Sequence, residues 1–295
     1  MWKYVLLISS LIISSSANAT TFYPTQGVSI PSSASNQLGM AVDQNSGHFF
    51  VTSLSYGGED NLYEYDPTGS LVRSSRVELG IIHQDGPGLT SLVVGSNGHL
   101  YVRSRNDIYE ISQDGQTVYS STTIENGYDL AYDYNTDEII ISNQGSDNAY
   151  LSSAYGVSRF DLSGNLINSS DDLNNFGDRD PQGLAYNSNN DHLFSAYNAR
   201  IDGVFSSFMV EYEWDAQGLI YNELAIYDLS AILHGVNTLE YDNATDLLYL
   251  GNNAGIYGFS LEEVPQISTV PLPAAVWLFG SGLIGLAGLA RRKKA

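Results

Sequence analysis

Residues 130–143 (LAYDYNTDEIIISN) set a pattern that recurs along the chain. An alternating apolar run passes a tight turn of Asp, Asn and Thr and enters a second run of β-branched residues. The same plan recurs at residues 40–53 (MAVDQNSGHFFVTS), 92–104 (LVVGSNGHLYVRS), 184–197 (LAYNSNNDHLFSAY) and 239–252 (LEYDNATDLLYLGN). Short apolar runs on either side of such a turn are the signature of a β-hairpin. The five starts, at residues 40, 92, 130, 184 and 239, lie 52, 38, 54 and 55 apart, so the chain is built from repeats.

Behind each hairpin stands a third run, a turn and a fourth run: residues 61–72 (NLYEYDPTGSLV), 107–118 (DIYEISQDGQTV), 156–167 (GVSRFDLSGNLI) and 208–220 (FMVEYEWDAQGLI). Aromatic and aliphatic residues alternate with polar ones across Asp-x-x-Gly-type turns. One repeat is therefore four antiparallel strands, and the pattern predicts an all-β propeller filling residues 38–264. Five blades is the preferred count; six would need a degenerate blade hidden in the longer repeats. The fifth repeat reaches a third strand at residues 255–264 and lacks a clear fourth. Residues 21–30 (TFYPTQGVSI) are a spare strand-like piece, so they are expected to complete that blade and close the ring, hiding a sheet edge.

The two ends carry targeting signals. Lys3, an apolar run over residues 4–13 and Ala17-Asn18-Ala19 have the order of a secretory signal peptide cleaved after Ala19. Residues 274–290 are 17 apolar or small residues without a charge, followed by Arg291-Arg292-Lys293-Lys294. That is the lower limit for a membrane-spanning helix, with the basic cluster on the cytoplasmic side. The expected organisation is a signal peptide (1–19), a propeller domain (20–265), a tether with a proline motif (266–273) and a transmembrane helix with a basic tail (274–295).

Val270, Pro271, Leu272, Pro273 and Ala274, then the glycine-studded apolar stretch, then the basic tail resemble the PEP-CTERM sorting signal in its VPLPA variant. The resemblance covers about 26 residues and departs from the Pro-Glu-Pro centre, which is Pro-Leu-Pro here. It implies a Gram-negative exported protein, held in the inner membrane, handled by an exosortase and placed at the cell surface or in the extracellular matrix, often alongside exopolysaccharide production.

The formal net charge is −21, and there is no cysteine. Without Lys3 and the four basic tail residues, seven Lys and Arg stand against 33 Asp and Glu, a net charge of −26. Such a surface disfavours nucleic acid, whose phosphates need cationic side chains. It suits an extracellular protein and is compatible with bound Ca2+. No disulfide contributes to the fold.

Candidate chemistry is sparse. His48, His99 and His192 share one place in the hairpin turns and read as solvated turn residues; His83 and His234 fall in inter-blade links. Asp133-Tyr134-Asn135 and Asp43-Gln44-Asn45 have alternating oxygen side chains, but Glu138 and Gln144 stand where a calcium loop needs Gly and Glu. They read as turn-stabilising residues. Lactonase and gluconolactonase propellers hold a metal through Glu, Asn and Asp at inner-strand ends. Asp129, Asn143, Gln182, Asn237 and Asn252 lie near the corresponding ends, so a metal-dependent hydrolase is the alternative reading. The preferred one is a non-enzymatic binding module for polysaccharide or a protein. Its expected site is the face of long loops, 144–155, 198–207 and the link 170–182, which bring Tyr155, Tyr197, Phe205, Asp178, Arg179 and Asp180 to one side.

Overall fold

The computed structural model describes residues 26–28, 37–53, 61–77, 79, 89–104, 107–124, 127–143, 156–170, 181–201, 204–215, 220–230, 233, 235–252 and 255–261. Strand β1 is Gln26–Val28. The first blade is β2 (Gln37–Val42), β3 (Phe49–Ser53), β4 (Asn61–Tyr65) and β5 (Leu71–Arg76). The second is β6 (Leu89–Val94), β7 (Leu100–Ser104), β8 (Asp107–Ile111) and β9 (Val118–Thr123). The third is β10 (Gly127–Asp133), β11 (Glu138–Asn143), β12 (Gly156–Asp161) and β13 (Leu166–Ser170). The fourth is β14 (Pro181–Asn187), β15 (His192–Ile201), β16 (Val204–Asp215) and β17 (Ile220–Asp228). The fifth has β18 (Thr238–Asp242), β19 (Leu247–Asn252) and β20 (Gly255–Phe259).

Each blade is an antiparallel meander whose strands neighbour one another in chain order. In the fifth, β1 supplies the missing outer strand: Gln26, Gly27 and Val28 pair with Gly258, Tyr257 and Ile256. The spare N-terminal segment thus closes the ring, as the sequence predicts. The blades number five, which settles the count against six.

Alternation explains why the blades stack. Each sheet is apolar on both faces near the axis, as a parallel or sandwiched sheet is, because each face meets a neighbouring blade. Five buried clusters join successive blades. Ala41 and Phe50 meet Leu89, Leu92 and Val102; Val93 and Tyr101 meet Leu130 and Ile139. Ala131 and Ile140 meet Leu184 and Val210; Phe194 and Met209 meet Leu239 and Leu248. Tyr249 and Ile256 meet Met40, Phe49 and Val51, completing the circle. Inner strands approach so closely that two blades need glycine. A Cβ on Gly39 would lie 2.7 Å from Ser91 Cα, and one on Gly183 would lie 2.9 Å from the Leu239 backbone nitrogen.

One expected loop is not a loop. The segment 198–207 continues β15 and β16 as a ladder, with Asn198 opposite Ser207 and Ile201 opposite Val204. The extra length of the fourth repeat is a longer hairpin. Two sets of turns share a face of the ring: those between first and second strands, and those between third and fourth. Strand β20 runs in the direction of the other third strands, so the chain leaves the propeller at Leu261 on this turn face.

Candidate functional site

The turn face is built from one station repeated in four of the five blades, the second having Gly95 at that place. The last inner-strand residue is Asp43, Asp133, Asn187 or Asp242, and its side-chain oxygen accepts the backbone N–H two residues on, at 2.9–3.0 Å. In three blades the second carboxylate oxygen accepts a hydroxyl, from Ser46 (2.8 Å), Thr136 (2.9 Å) or Thr245 (2.5 Å). These are Asx turns, as the sequence predicts, and they explain the Asp/Asn-Ser/Thr composition.

The turn ends on a residue with positive φ: Gly47 (71°), Gly98 (75°), Asp137 (55°), Asp191 (60°) and Asp246 (60°). Non-glycine residues are disfavoured there, Asp less than most. The three aspartates each accept a tyrosine hydroxyl, Tyr132 at 2.9 Å, Tyr186 at 3.1 Å and Tyr241. The glycine blades carry Val42 and Val94 at the tyrosine position. Tyrosine and aspartate therefore occur together, and so do valine and glycine.

The histidines are not merely solvated turn residues. His48 Nδ1 donates to Glu64 at 2.7 Å, His99 to Glu110 at 2.7 Å and His192 to Glu211 at 2.6 Å. Each joins the start of a second strand to the third strand. Further donors converge on the same carboxylates: Arg73 on Glu64, Ser120 on Glu110 (2.9 Å) and Tyr227 on Glu211 (2.5 Å). The third blade exchanges donor and acceptor, with Glu138 at the histidine position and Arg159 at the glutamate position, 2.6 Å apart. Buried Arg159 also bonds Asp133 and lies over the rings of Tyr186 and Trp214, 5.2 and 5.3 Å from their centroids. In the fifth blade Leu247 and Gly258 replace the pair, and the Tyr249 ring covers Gly258.

Beside each pair the outer strand carries a bulge. Arg73, Ser120, Asn168 and Ala225 pair with Glu64, Glu110, Arg159 and Glu211, and the ladder then skips Val72, Tyr119, Ile167 and Leu224. The four skipped residues are large, apolar and 47–52% exposed. An inserted residue has no partner across the ladder, so it projects from the blade.

Two acids lie on the inner strands. Asp129 accepts from Ser91 Oγ in the second blade, from its own neighbour Leu130 N at 2.9 Å and from Leu184 N in the fourth blade at 2.7 Å. It ties three blades together, and burial pushes its pKa up to about 7 against those hydrogen bonds. Glu240 takes the position that Ala41, Val93, Ala131 and Ala185 hold in the other blades. It is buried, and among the described residues its carboxyl group has no hydrogen bond. Burial first, then Asp129 and Asp242, raise its pKa well above the ordinary value. Tyr134 is partly buried, and its hydroxyl donates to Val94 O at 2.8 Å.

Of the residues expected to form a loop-face site, Tyr155, Asp178, Arg179 and Asp180 lie outside the described residues. Phe205 lies in β16 opposite Arg200. Tyr197 corrects the expectation of an exposed loop aromatic: it is buried within β15, its hydroxyl 3.1 Å from that of Tyr212. Alternation turns it inward, against Val210 and Leu184. Among the metal candidates, Asp129 has both oxygens engaged, and buried Asn252 accepts Gly255 N at 3.2 Å to shape the β19–β20 turn. Asn143 pairs with Gly127 and Gly156, and Asn237 N donates to Gly251 O at 2.9 Å. Among the described residues no three His, Asp or Glu side chains gather in a metal-binding group. His83, His234, the signal peptide, the candidate span 274–290 and Val270–Ala274 lie outside the described residues.

Residues 269–294 match the PEP-CTERM protein-sorting motif. The chain is therefore an exported, membrane-anchored, exosortase-processed protein with a five-bladed propeller domain. No curated protein matches it. Among solved structures it resembles the tail fiber of Staphylococcus aureus phage P68, with TM-score 0.51 and 12% identity over 82% of this chain and 53% of that one. A protein of unknown function from Bacteroides caccae gives TM-score 0.46 and 13% identity over 69% and 71% of the two chains. The GH74 enzyme of Niastella koreensis gives TM-score 0.45 and 11% identity over 75% and 44%. The chain spans about half the length of the phage and GH74 proteins, and at these identities the likeness concerns the fold alone.

Proposed function

We propose that this protein is a binding module of the extracellular matrix in a Gram-negative bacterium, delivered by an exosortase and engaging exopolysaccharide. The observation that carries this reading is the distance between the two functional parts. The sorting motif begins at residue 269, eight residues after the described chain leaves the propeller at Leu261. Seven intervening residues span at most about 25 Å when fully extended. Before processing, the turn face is thus held towards the membrane and the opposite loop face points away from it. Processing frees both faces.

A rigid ring with an acidic, hydroxyl-rich surface suits a partner that offers hydroxyl donors and little negative charge. The test is fractionation of the native protein. It should co-purify with the polysaccharide fraction of the producing strain's matrix and be released when that polysaccharide is degraded enzymatically. Recovery in the soluble medium, whether or not polysaccharide is present, would contradict the reading.

A further inference from the structure

The four bulges are equivalent in position, and three of them carry aliphatic residues. The second blade carries Tyr119. Its ring lies flat on the His99 imidazole, with centroids 4.2 Å apart and planes 12° from parallel. That imidazole is itself fixed, because Nδ1 donates to Glu110 Oε1 at 2.7 Å and its backbone N–H donates to Asn97 Oδ1 at 3.0 Å. Asn97 Nδ2 (3.1 Å) and the Tyr101 hydroxyl (3.3 Å) donate to the same Glu110 oxygen. One face of the phenol ring is thus backed by a rigid polar stack, while the residue as a whole is 51% exposed. Holding an exposed aromatic ring in place beforehand removes the ordering cost a ligand would otherwise meet.

At Ser120, the residue after Tyr119, lies a shallow cleft between the second and third blades that encloses only about 10 Å3, so a sugar would lie across its mouth and not within it. Its walls mix apolar surface from Ile108, Ile124 and Ile139 with Glu110, Ser120 and Asp161. Flat aromatic area with a few polar groups at its edge matches a pyranose. The sugar presents a C–H face to the ring and hydroxyls at its rim. The carboxylates of Glu110 and Asp161 accept such hydroxyls, and the chain's net charge of −21 repels uronate- or sulfate-rich polymers.

We propose that Tyr119 is the stacking platform of a saccharide site for neutral pyranose polysaccharide, with His99 as its positioning residue and Glu110, Ser120 and Asp161 at the polar rim. This rests on the polysaccharide reading above and names the place where the contact is made.

The test is affinity electrophoresis of the processed protein in native gels. The gels contain hydroxyethyl cellulose, a neutral β-glucan, or the producing strain's own exopolysaccharide. Tyr119→Val installs the residue type that Val72 holds in the first blade, so the blade tolerates it, and the thermal midpoint checks the fold. The wild type should be retarded, Tyr119→Phe should match it, and Tyr119→Val should lose tenfold or more in affinity. His99→Ala should fall between them, with a midpoint lowered only by the loss of its Glu110 bond and the protein still folded. Wild-type retardation that Tyr119→Val retains in full would overturn this site and leave the polysaccharide reading standing. No retardation of the wild type by either polymer would overturn both.

Discussion

Glu138 and Arg159 hold, with donor and acceptor exchanged, the two positions that His192 and Glu211 hold one blade later. Arg159 Nε donates to Glu138 at 2.6 Å, and His192 donates to Glu211 at 2.6 Å. The neighbouring position follows suit, with Asp133 beside the arginine and Asn187 in the histidine blade. In the four blades that carry the pair, blade geometry therefore accepts a nitrogen donor and a carboxylate in either order. Replacing Arg159 by Met strands buried Asp133 and partly buried Glu138 and should cost about 3–5 kcal/mol. The triple variant Asp133→Asn, Glu138→His, Arg159→Glu installs the fourth blade's set in the third and should recover at least half of that loss. Urea denaturation of the three proteins measures it. A triple variant no more stable than Arg159→Met would show that the stations are not interchangeable.

Glu240 should be a net cost to stability, since four sibling blades place Ala or Val at its position and its own carboxyl group is buried without a hydrogen bond among the described residues. Glu240→Ala should raise stability by about 1–3 kcal/mol, the cost of taking a polar group out of water. The effect should depend on pH. The folded pKa of Glu240 is raised, so its contribution is fully present below its ordinary value of 4.5 and is lost as pH rises through the folded value. The advantage of Glu240→Ala should thus grow as pH rises above 4.5. Thermal midpoints of both proteins across that range check it; an advantage that shrinks with pH would contradict this account.

Asp129 titrates in the same direction but cannot be removed without loss. Its pKa, raised to about 7 by burial, makes stability fall as pH rises from about 4 to about 7. Its oxygens nevertheless join three blades. Asp129→Ala leaves Leu184 N and Ser91 Oγ without their acceptor and should destabilise by about 1–3 kcal/mol at pH 5. A neutral or stabilising result in chemical denaturation would show that the inter-blade ties are dispensable.

Ring closure makes a further quantitative claim. Deleting residues 20–28 removes β1 and unpairs β20 along three paired positions. At about 1 kcal/mol per ladder bond, the loss should be on the order of 3 kcal/mol, and the exposed edge should promote association. Calorimetry and light scattering read the two effects. Unchanged stability and a strictly monomeric protein would mean that the ring closes without this strand.

The hairpins, the five-fold repeat and the closing strand were legible because each is a local pattern: alternation, a turn, a spare segment. The His–Glu stations were not. His48 and Glu64 are 16 residues apart on different strands, and their meeting depends on a register that local pattern does not reveal. The bulges leave a fainter mark, the paired apolar residues Leu71-Val72, Val118-Tyr119 and Leu166-Ile167, which break alternation where the ladder skips one residue. The 198–207 segment misled for a related reason. Its hairpin extends beyond the rest of its blade, so Asn198, Ser206 and Ser207 dilute the apolar alternation that marks a strand. Tyr197 stands at its border, where strand parity and not loop composition decides that it turns into the core. Glu240 lay concealed in LEYD, where strict alternation gave no reason to expect a carboxyl group among alanines.

The central claim, an exported propeller handled by an exosortase, is tested most directly by the intact mass of the protein isolated from the producing strain. The native protein should lack residues 1–19 and at least residues 277–295, including Arg291–Lys294, and it should be recovered outside the cell. In a strain without exosortase the basic tail should persist and the protein should stay in the membrane fraction. A native mass that includes the tail in both strains would contradict the account and leave a plain membrane-anchored propeller.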